Sequence, residues 1–296
     1  MAITGTGVPT NRTHIQLPPE VSSEIIQKTQ ESSAVMQLAR KINLPGRGLE
    51  IPVITSDPVA EWIGETESKP VSNPGLDKKI MTAYKMAVIV PFSNEFRRDA
   101  KALYDALVKR IPGALGLEFD ATVFGKEQAP GSNFDTLANC TAQAIGGTNT
   151  YGGLVAADTD IATHGGILNG YVISPQGKGI LLTATDGNQR PLFINNVSEG
   201  SVPVILGART LLSKGAYNAG TPNMVGIAGD WTQAMYGTVE GVKIDISDQA
   251  TLVTGSGQDT QTINLFQQNM FAVRAEIELG FRADTDCFNL LTDATE

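Results

Sequence analysis

The sequence predicts an α+β protein, and three features carry that prediction. The first is a long amphipathic helix near residues 93–125, and the second is an alternating strand near 271–282. The third is the Gly- and Pro-rich stretch between them, which breaks into short strand-like runs. In the helix, Phe96, Ala100, Leu103, Leu107, Ile111, Ala114, Leu117, Ala121 and Phe124 recur in steps of three or four, the period of one helical face. At ~1.5 Å per residue such a helix runs roughly 45–50 Å. In the strand, Phe271, Val273, Ala275, Ile277, Leu279 and Phe281 alternate with Ala272, Arg274, Glu276, Glu278, Gly280 and Arg282. A strand of that length spans ~40 Å at ~3.3 Å per residue. The matched lengths place helix and strand side by side.

The remaining elements follow in order. Residues 1–17 are polar, Thr- and Gly-rich and without periodicity, which reads as a flexible arm. Leu17-Pro18-Pro19-Glu20 then opens a short helix with Val21, Ile25 and Ile26 on one side, a start that proline favours. A second helical pattern, Val35, Leu38, Ala39 and Ile42, follows Ser32-Ser33 and ends at Pro45-Gly46-Arg47-Gly48. Ile51 to Ile54 and Ala60 to Glu65 are short and strand-like, Thr66 to Lys79 is polar, and Ile80 to Val90 is a second extended run. Together they describe a two-stranded hairpin with too few apolar residues to bury itself. Such a hairpin is marginal alone in water, so it is expected to pack on something else, such as another subunit.

Ser93 suits the N-cap of the long helix, with Glu95 placed well for its dipole. Pro112-Gly113 interrupts it and predicts a kink there, because proline removes a donor and crowds the preceding turn. Beyond residue 125, a break at Pro130-Gly131 and the pair Gly146-Gly147 lead into short strands. These are read at Gly170–Ser174, Ile180–Thr183, Pro191–Ile194, Val202–Leu206, Met224–Ala228 and Val242–Ile246. Asp186-Gly187 is a turn signal, and Thr254 to Gln258 resembles a linker.

Composition narrows the function. With 41% apolar residues the chain can build a real core, and its net charge of −9 argues against non-specific binding to nucleic acid or anionic membrane. Residues 1–48 depart from that balance, with Arg12, Lys28, Arg40, Lys41 and Arg47 against Glu20, Glu24 and Glu31; chance is the simplest account. The two cysteines, Cys140 and Cys287, have no metal-ligand spacing and fit reduced thiols. The N-terminus lacks the charged and apolar regions of a signal peptide, and no apolar run reaches ~18 residues. A soluble protein made in a cytoplasm is expected, so the sequons at Asn11, Asn139 and Asn196 carry no weight.

Catalytic motifs are missing. His14 and His164 stand isolated, without a Ser-His-Asp or Cys-His arrangement. Ser174-Pro-Gln-Gly-Lys-Gly179 lacks the remainder of a phosphate loop, and Gly226-Ile-Ala-Gly-Asp230 lacks a dinucleotide fingerprint. Both read as turns. Trp62 and Trp231 are too far apart in sequence to suggest a base-stacking platform. No cofactor, metal or enzymatic activity is expected.

The order of parts resembles the major capsid proteins of tailed double-stranded-DNA bacteriophages, whose fold is shared by herpesvirus shell proteins and encapsulins. The residues that carry the resemblance begin with Leu17-Pro18-Pro19-Glu20, Ile51-Pro52-Val53 and Ala60-Glu61-Trp62-Ile63-Gly64-Glu65. Tyr84-Lys85 and Ser93-Asn94-Glu95-Phe96-Arg97-Arg98-Asp99 follow. Later come Gly207-Ala208-Arg209-Thr210, Gly229-Asp230-Trp231 and Asn269 to Glu276. The resemblance implies an N-terminal arm at 1–48, an E-loop at 49–91 and a P domain with spine helix at 92–145. It further implies an A domain at 146–257 and a return strand of the P domain at 258–296.

By the same resemblance, the function is structural: self-assembly into hexamers and pentamers of an icosahedral shell around packaged DNA. E-loops and arms of such proteins lie across neighbouring subunits. The long helix reaches residue 93 early in a chain beginning with Met, so any scaffolding protein is expected to be separate; a portal and a decoration protein are further expected partners. Some members join subunits through a Lys–Asn bond assisted by a Glu. The matching residues are Asn269 and Glu276, with Lys69, Lys78 or Lys79 in the hairpin, although Asn269 must lie before the strand for the geometry to work. A simple pairing of Glu276 with Arg274 is the competing reading. Pro112 and Gly113 form a candidate spine hinge. An encapsulin-type cargo shell is the alternative within the fold; a β-rich binding module and an enzyme are more distant.

Overall fold

One strand of fourteen residues, β14 (Met270–Ala283), is the centre of the first sheet. In the computed structural model, residues 32–46, 48–56, 60, 62, 63, 69, 71, 72, 75–95, 110–147, 149–186, 188, 190–193, 204–254 and 261–295 are described. Along one edge β14 pairs antiparallel with β4 (Tyr84–Ser93), from Met270 opposite Ser93 to Leu279 opposite Tyr84. Along the other edge it pairs with β10 (Ala234–Thr238) and then β11 (Lys243–Ser247), both antiparallel. A short strand, β1 (Arg40–Asn43), adds parallel to β10. The expected alternation holds on the inward face, where Phe271, Val273, Ala275, Ile277, Leu279 and Phe281 are all buried. The outward face is less uniform than its charges suggest, because only Arg274 is exposed and Arg282 is buried.

The second sheet has the order β5 (Thr141–Ala144), β15 (Phe288–Thr292), β9 (Met224–Gly229), β6 (Gly170–Ile173), β8 (Ala208–Leu212) and β7 (Val204–Ile205). The helix α3 (Thr150–Thr163) lays Leu154, Ala157 and Ile161 on it. A shared core joins the two sheets. Phe119 meets Phe134, Tyr236 and Phe281 edge to face at 6.2–6.4 Å between ring centroids. Trp231 meets Phe288 the same way at 5.2 Å, the geometry aromatic pairs favour. The Gly229-Asp230-Trp231 motif is thus a structural corner between β9 and β10. Asp230 accepts from the Ile167 backbone at 3.0 Å and Asn169 Nδ2 at 2.7 Å, and Trp231 Nε1 donates to the Gly170 carbonyl at 3.1 Å.

Of the long helix, Asn94 and Glu95 at its start and the second half, α2 (Ile111–Val123), are described, and Ser93, expected as the cap, is the last residue of β4; residues 96–109 lie outside the described residues. Its buried stripe is Ile111, Leu115, Phe119 and Val123, whereas Ala114 and Leu117, expected on the inner face, are exposed. Ala121 and Phe124, expected on the same face, are buried. Pro112 occupies the first turn of α2, where its missing donor costs no helical hydrogen bond. Phe119 lies against Phe281, so this half of the helix does flank the long strand.

Other expectations change for physical reasons. The second helical pattern is a five-residue helix, α1 (Ala34–Leu38), followed by strand β1. Ser33 caps α1 by accepting from Met36 N at 3.1 Å, and Ile42 belongs to β1, not to a longer helix. The expected strand Ile180–Thr183 is the end of a helix, α4 (Pro175–Thr183). Ser174 caps it through Gly177 N at 3.0 Å, and Gly177 leaves no room for a Cβ beside the Val225 carbonyl. Helix α3 was hidden by Gly152-Gly153, where Gly153 lets the helix sit directly on the Ala144 carbonyl. The linker-like stretch at 254–258 falls between β12 (Thr251–Thr254) and β13 (Gln261–Asn264), which pair antiparallel. The first arm and short helix, residues 1–31, lie outside the described residues, as do 194–203, which hold parts of two expected strands.

Candidate functional site

A two-stranded ribbon leaves the first sheet. It consists of β2 (Leu49–Ser56) and β3 (Gly75–Met81), antiparallel from Leu49 opposite Met81 to Ser56 opposite Gly75. The extended run expected over 80–90 is therefore divided. Its first residues close the ribbon at Met81, and the rest is β4, a strand of the main sheet. Beyond the ribbon, Trp62 and Val71 are exposed almost without cover, and Lys69 is exposed as well.

The base of the ribbon is held far more tightly. Arg282 of β14 donates to the Ile80 carbonyl through Nε at 2.8 Å and Nη2 at 2.6 Å, and to Asn133 Oδ1 at 3.1 Å. Its Nη1 pairs with Asp135 Oδ1 at 2.5 Å, with both side chains largely buried. Lys79 Nζ donates to the Ala283 carbonyl at 2.9 Å and lies 3.8 Å from Asp135. Asn133 completes the joint, its backbone N–H donating to Tyr84 Oη and its Nδ2 to Thr82 Oγ1, both at 3.2 Å. A guanidinium with five donors suits this fork of three acceptors from two distant segments.

Next to the joint, the outer face of the sheet carries a ladder of charges. Lys85 on β4 reaches Glu276 at 3.1 Å and Glu278 at 3.4 Å. Arg274 reaches Glu276 and Asp245 on β11, each at 2.6 Å. Hydrogen bonds from Lys85 to Glu276 and then to Glu278 hold its ammonium form to higher pH than usual. Opposite-charge neighbours across strands stabilise a sheet modestly, so this face is well made without being sticky.

The third feature was not visible in the sequence. Asp120, on the buried side of α2, accepts from Ser33 Oγ at 2.5 Å, Ala34 N at 2.9 Å, Val35 N at 3.2 Å and Ser213 Oγ at 2.8 Å. Burial pushes its carboxyl upward, against the opposing pull of those hydrogen bonds. This carboxylate ties the segment that leads in from the N-terminus to the helix and to the turn at Ser213. Burying a carboxylate is costly unless it is satisfied, and these donors satisfy it. The only sequence signal was an acidic residue inside an apolar helical period.

The crosslink candidates do not converge within one chain. Lys78 pairs across the ribbon with Glu50 at 3.1 Å, and Lys79 is held in the joint. Asn269 does lie just before β14, with a positive φ of 57°. Glu276 takes the structural pairing with Arg274, as well as that with Lys85. Cys140 donates to the Thr285 carbonyl, and burial pushes its thiol up to about 12. His164 sits exposed at the end of α3. Among the described residues no group of three or more His, Cys, Asp or Glu could hold a metal ion, and no described helix is long and apolar enough to cross a membrane.

A long central strand, a flanking helix, a projecting ribbon and a second sheet form an arrangement with close counterparts. Residues 15–285 match the model of the phage capsid family. The chain is 30% identical over 292 residues to the probable major capsid protein gp17 of Mycobacterium phage D29, covering 94% of this chain and 90% of that protein. It is 31% identical to the corresponding protein of Mycobacterium phage L5, covering 95% and 90%. Among solved structures, one from Microbacterium phage Oxtober96 superposes with a TM-score of 0.73 at 19% identity, over 99% of this chain and 96% of that one. One from Gordonia phage Cozz gives 0.72 at 21% identity, over 89% and 87%. The family match spans most of the chain and the identity holds over nearly its whole length: this chain belongs to the phage capsid family, as a major capsid protein that builds a multi-subunit structural shell.

Proposed function

We propose that this protein is the repeating tile of an icosahedral head, arranged in hexamers and pentamers around packaged double-stranded DNA. The observation that carries this reading is the ribbon, fixed at its base by the buried Arg282, with Trp62 and Val71 exposed beyond it. A free chain gains nothing from holding such an arm rigidly; a lattice gains a contact at each copy. Icosahedral closure repeats nearly the same contact in five- and six-membered rings. A structural neighbour at TM-score 0.64, the capsid of an empty GTA particle computed with C5 symmetry, supports the five-fold part of the reading. Residues 1–48 would serve as the N-terminal arm, 49–91 as the E-loop, 92–145 and 258–296 as the P domain and 146–257 as the A domain. Assembly would take place in the host bacterial cytoplasm with a separate scaffolding protein, a portal and, in some heads, a decoration protein. The relatives are capsid proteins of phages, which favours a genome shell over an encapsulin-type cargo compartment.

Two finer points belong to this reading. Pro112 and Gly113 act as a hinge that lets the tile adapt to five- and six-fold rings. Particles of unchanged size and closure after replacing both with Ala would overturn it. The lattice is held without covalent crosslinks, since Lys78 and Lys79 have partners in their own chain and Glu276 is engaged by two cations. Monomer-sized bands from mature particles on a denaturing gel support this, and a ladder of multimers refutes it. For the shell itself, electron microscopy of the purified protein is decisive: rings and closed particles are expected, and persistent monomers overturn the reading.

A further inference from the structure

The joint at the root of the ribbon borders a pocket of ≈ 140 Å³ to which the shell reading gives no role. It lies between α2 and the first sheet. Phe119 lines it from the helix, Tyr84 and Met86 from β4, Leu279 from β14, and Phe134 from the loop after α2. Phe119, Phe134 and Leu279 are buried, and Tyr84 and Met86 are half-buried. The three rings already touch edge to face: Tyr84 meets Phe134 at 6.3 Å and Phe134 meets Phe119 at 6.2 Å between centroids. Gly131 lets the loop close on this wall, because a Cβ there would collide with the Tyr84 ring.

The size and the walls select the guest. An apolar cavity of ~150 Å³ lined by Leu, Ile and Phe stays dry and binds benzene, so this pocket suits one ring and not two. An aromatic ring is favoured over an aliphatic one, since it extends the existing series of edge-to-face contacts.

The mouth selects the charge. Lys85, Glu118 and Gln128 line the pocket and are exposed. Lys85 is already held, with Nζ 3.1 Å from Glu276 and 3.4 Å from Glu278. Among the described residues Glu118 forms no ion pair; its backbone carbonyl, not its carboxylate, accepts from Thr122 Oγ1 at 2.9 Å. The one cation at the mouth is therefore neutralised by two carboxylates, and a third stays available. An anionic guest meets repulsion there, whereas an ammonium on a short linker reaches Glu118 with its ring in the pocket.

We propose that this pocket is a binding site for a single-ring aromatic ammonium, with the ring among Tyr84, Phe119 and Phe134 and the cation at Glu118. The guest touches α2, both long strands and the loop at 128–134 together. That loop carries Asn133, which donates to Tyr84, and leads directly to Asp135, the partner of Arg282. Binding therefore stabilises the folded chain in proportion to occupancy and braces the root of the ribbon. The site lies within a single chain, so it goes beyond the shell reading and does not depend on it.

The probe is phenethylammonium, added to the full-length unassembled chain and followed by NMR and thermal unfolding. The methyl signals of Met86 and Leu279 should shift on titration, and the unfolding midpoint should rise with probe concentration. Glu118→Gln should weaken the probe about three- to fivefold, the worth of an exposed ion pair, and leave the affinity for neutral 2-phenylethanol unchanged. Thr122→Phe, which brings a ring from α2 to the rim, should abolish both without lowering the midpoint of the free chain. Phenylacetate binding as tightly as phenethylammonium overturns the charge assignment. Binding that survives Thr122→Phe, or that leaves Met86 and Leu279 unmoved, overturns the site. A Thr122→Phe chain that folds yet no longer forms the particles of the wild type also overturns it, and gives the pocket to a side chain of a second copy. A wild-type chain that binds the probe but never forms particles upholds the site and removes the shell reading alone.

Discussion

The ribbon and the long strand β14 are both β-structure, yet they solve the burial problem in opposite ways. β14 is paired along both edges, and one whole face of it is buried under aromatic and aliphatic side chains. Among the described residues, the ribbon pairs only its own two strands, and Trp62, in the connection between them, is exposed. Burial of apolar surface is the main favourable term in folding, so the strand is stabilised by its own chain, whereas the proposed shell would complete the ribbon from outside. The difference separates folding from assembly: substitutions in β14 should act on the unassembled chain, and substitutions at the end of the ribbon should act only on particles.

The largest effect compares two aromatic truncations. Phe281→Ala removes a fully buried ring that touches Phe119 and Phe134, and should cost about 3–5 kcal/mol of stability. Denaturant unfolding of the unassembled chain measures this. Trp62→Ala removes a ring with no cover in the free chain, and should leave the same unfolding curve unmoved while particle yield falls. A shared loss of stability in both variants would break the distinction.

A somewhat smaller effect is expected at the joint between the two regions. Arg282→Met keeps the aliphatic volume but leaves Asp135 and the Ile80 carbonyl without their guanidinium. Removing one partner of a buried pair typically costs about 3–5 kcal/mol; partial exposure of Asp135 and the nearby Lys79 put this one at about 2–3 kcal/mol. Hydrogen exchange should show the loss concentrated at Ile80 and Ala283 rather than spread along β14. Uniform exchange along the strand would mean that the joint does not act locally.

How much of this was legible beforehand follows from where local and tertiary signals agree. β14 was visible because a strand with one fully buried face writes its period directly into the sequence. The ribbon was visible as extended chain, but its end was not, since Ile80 to Val90 shows no change in β-propensity where Met81 closes the ribbon and Tyr84 begins β4. Helices α3 and α4 were obscured by glycines whose purpose is close contact with a carbonyl of another strand, and nothing local announces that. Arg282 looked like one more solvated charge on an alternating strand. It is buried because residues 80 and 133–135, remote in sequence, cover it. Asp120 was missed for the same reason, as its partners Ser33, Ala34, Val35 and Ser213 come from two distant segments.

Asp120 supplies a third, pH-dependent effect. Burial raises its carboxyl above the ordinary value near ~3.9. The folded chain therefore holds that proton to higher pH than the unfolded chain does. By linkage, the stability contributed at this site is complete at acid pH below the unfolded value and declines as pH rises through the raised folded value. Asp120→Asn, neutral at every pH, should flatten that part of the profile, measured as the denaturant midpoint against pH. A wild-type midpoint that instead falls on acidification through the same window would show that the hydrogen bonds outweigh burial.

The smallest effect is expected on the ribbon itself. Lys78 and Glu50 pair at 3.1 Å across β2 and β3, with side chains more than 60% exposed. An exposed ion pair of this kind contributes only ~0–1 kcal/mol and is screened by salt. Glu50→Gln should therefore change stability by less than about 0.5 kcal/mol and leave assembly intact. That near-silence is informative when set beside Arg282. If the ribbon were stiffened by its own cross-strand contacts, losing the pair would loosen it and lower particle yield much as Arg282→Met does. If its direction is set at the base, where the buried guanidinium grips the Ile80 carbonyl, the pair is dispensable. Particle yields of the two variants, compared in one assembly reaction, separate these cases: a lever held at its root tolerates the loss of a rivet along its length.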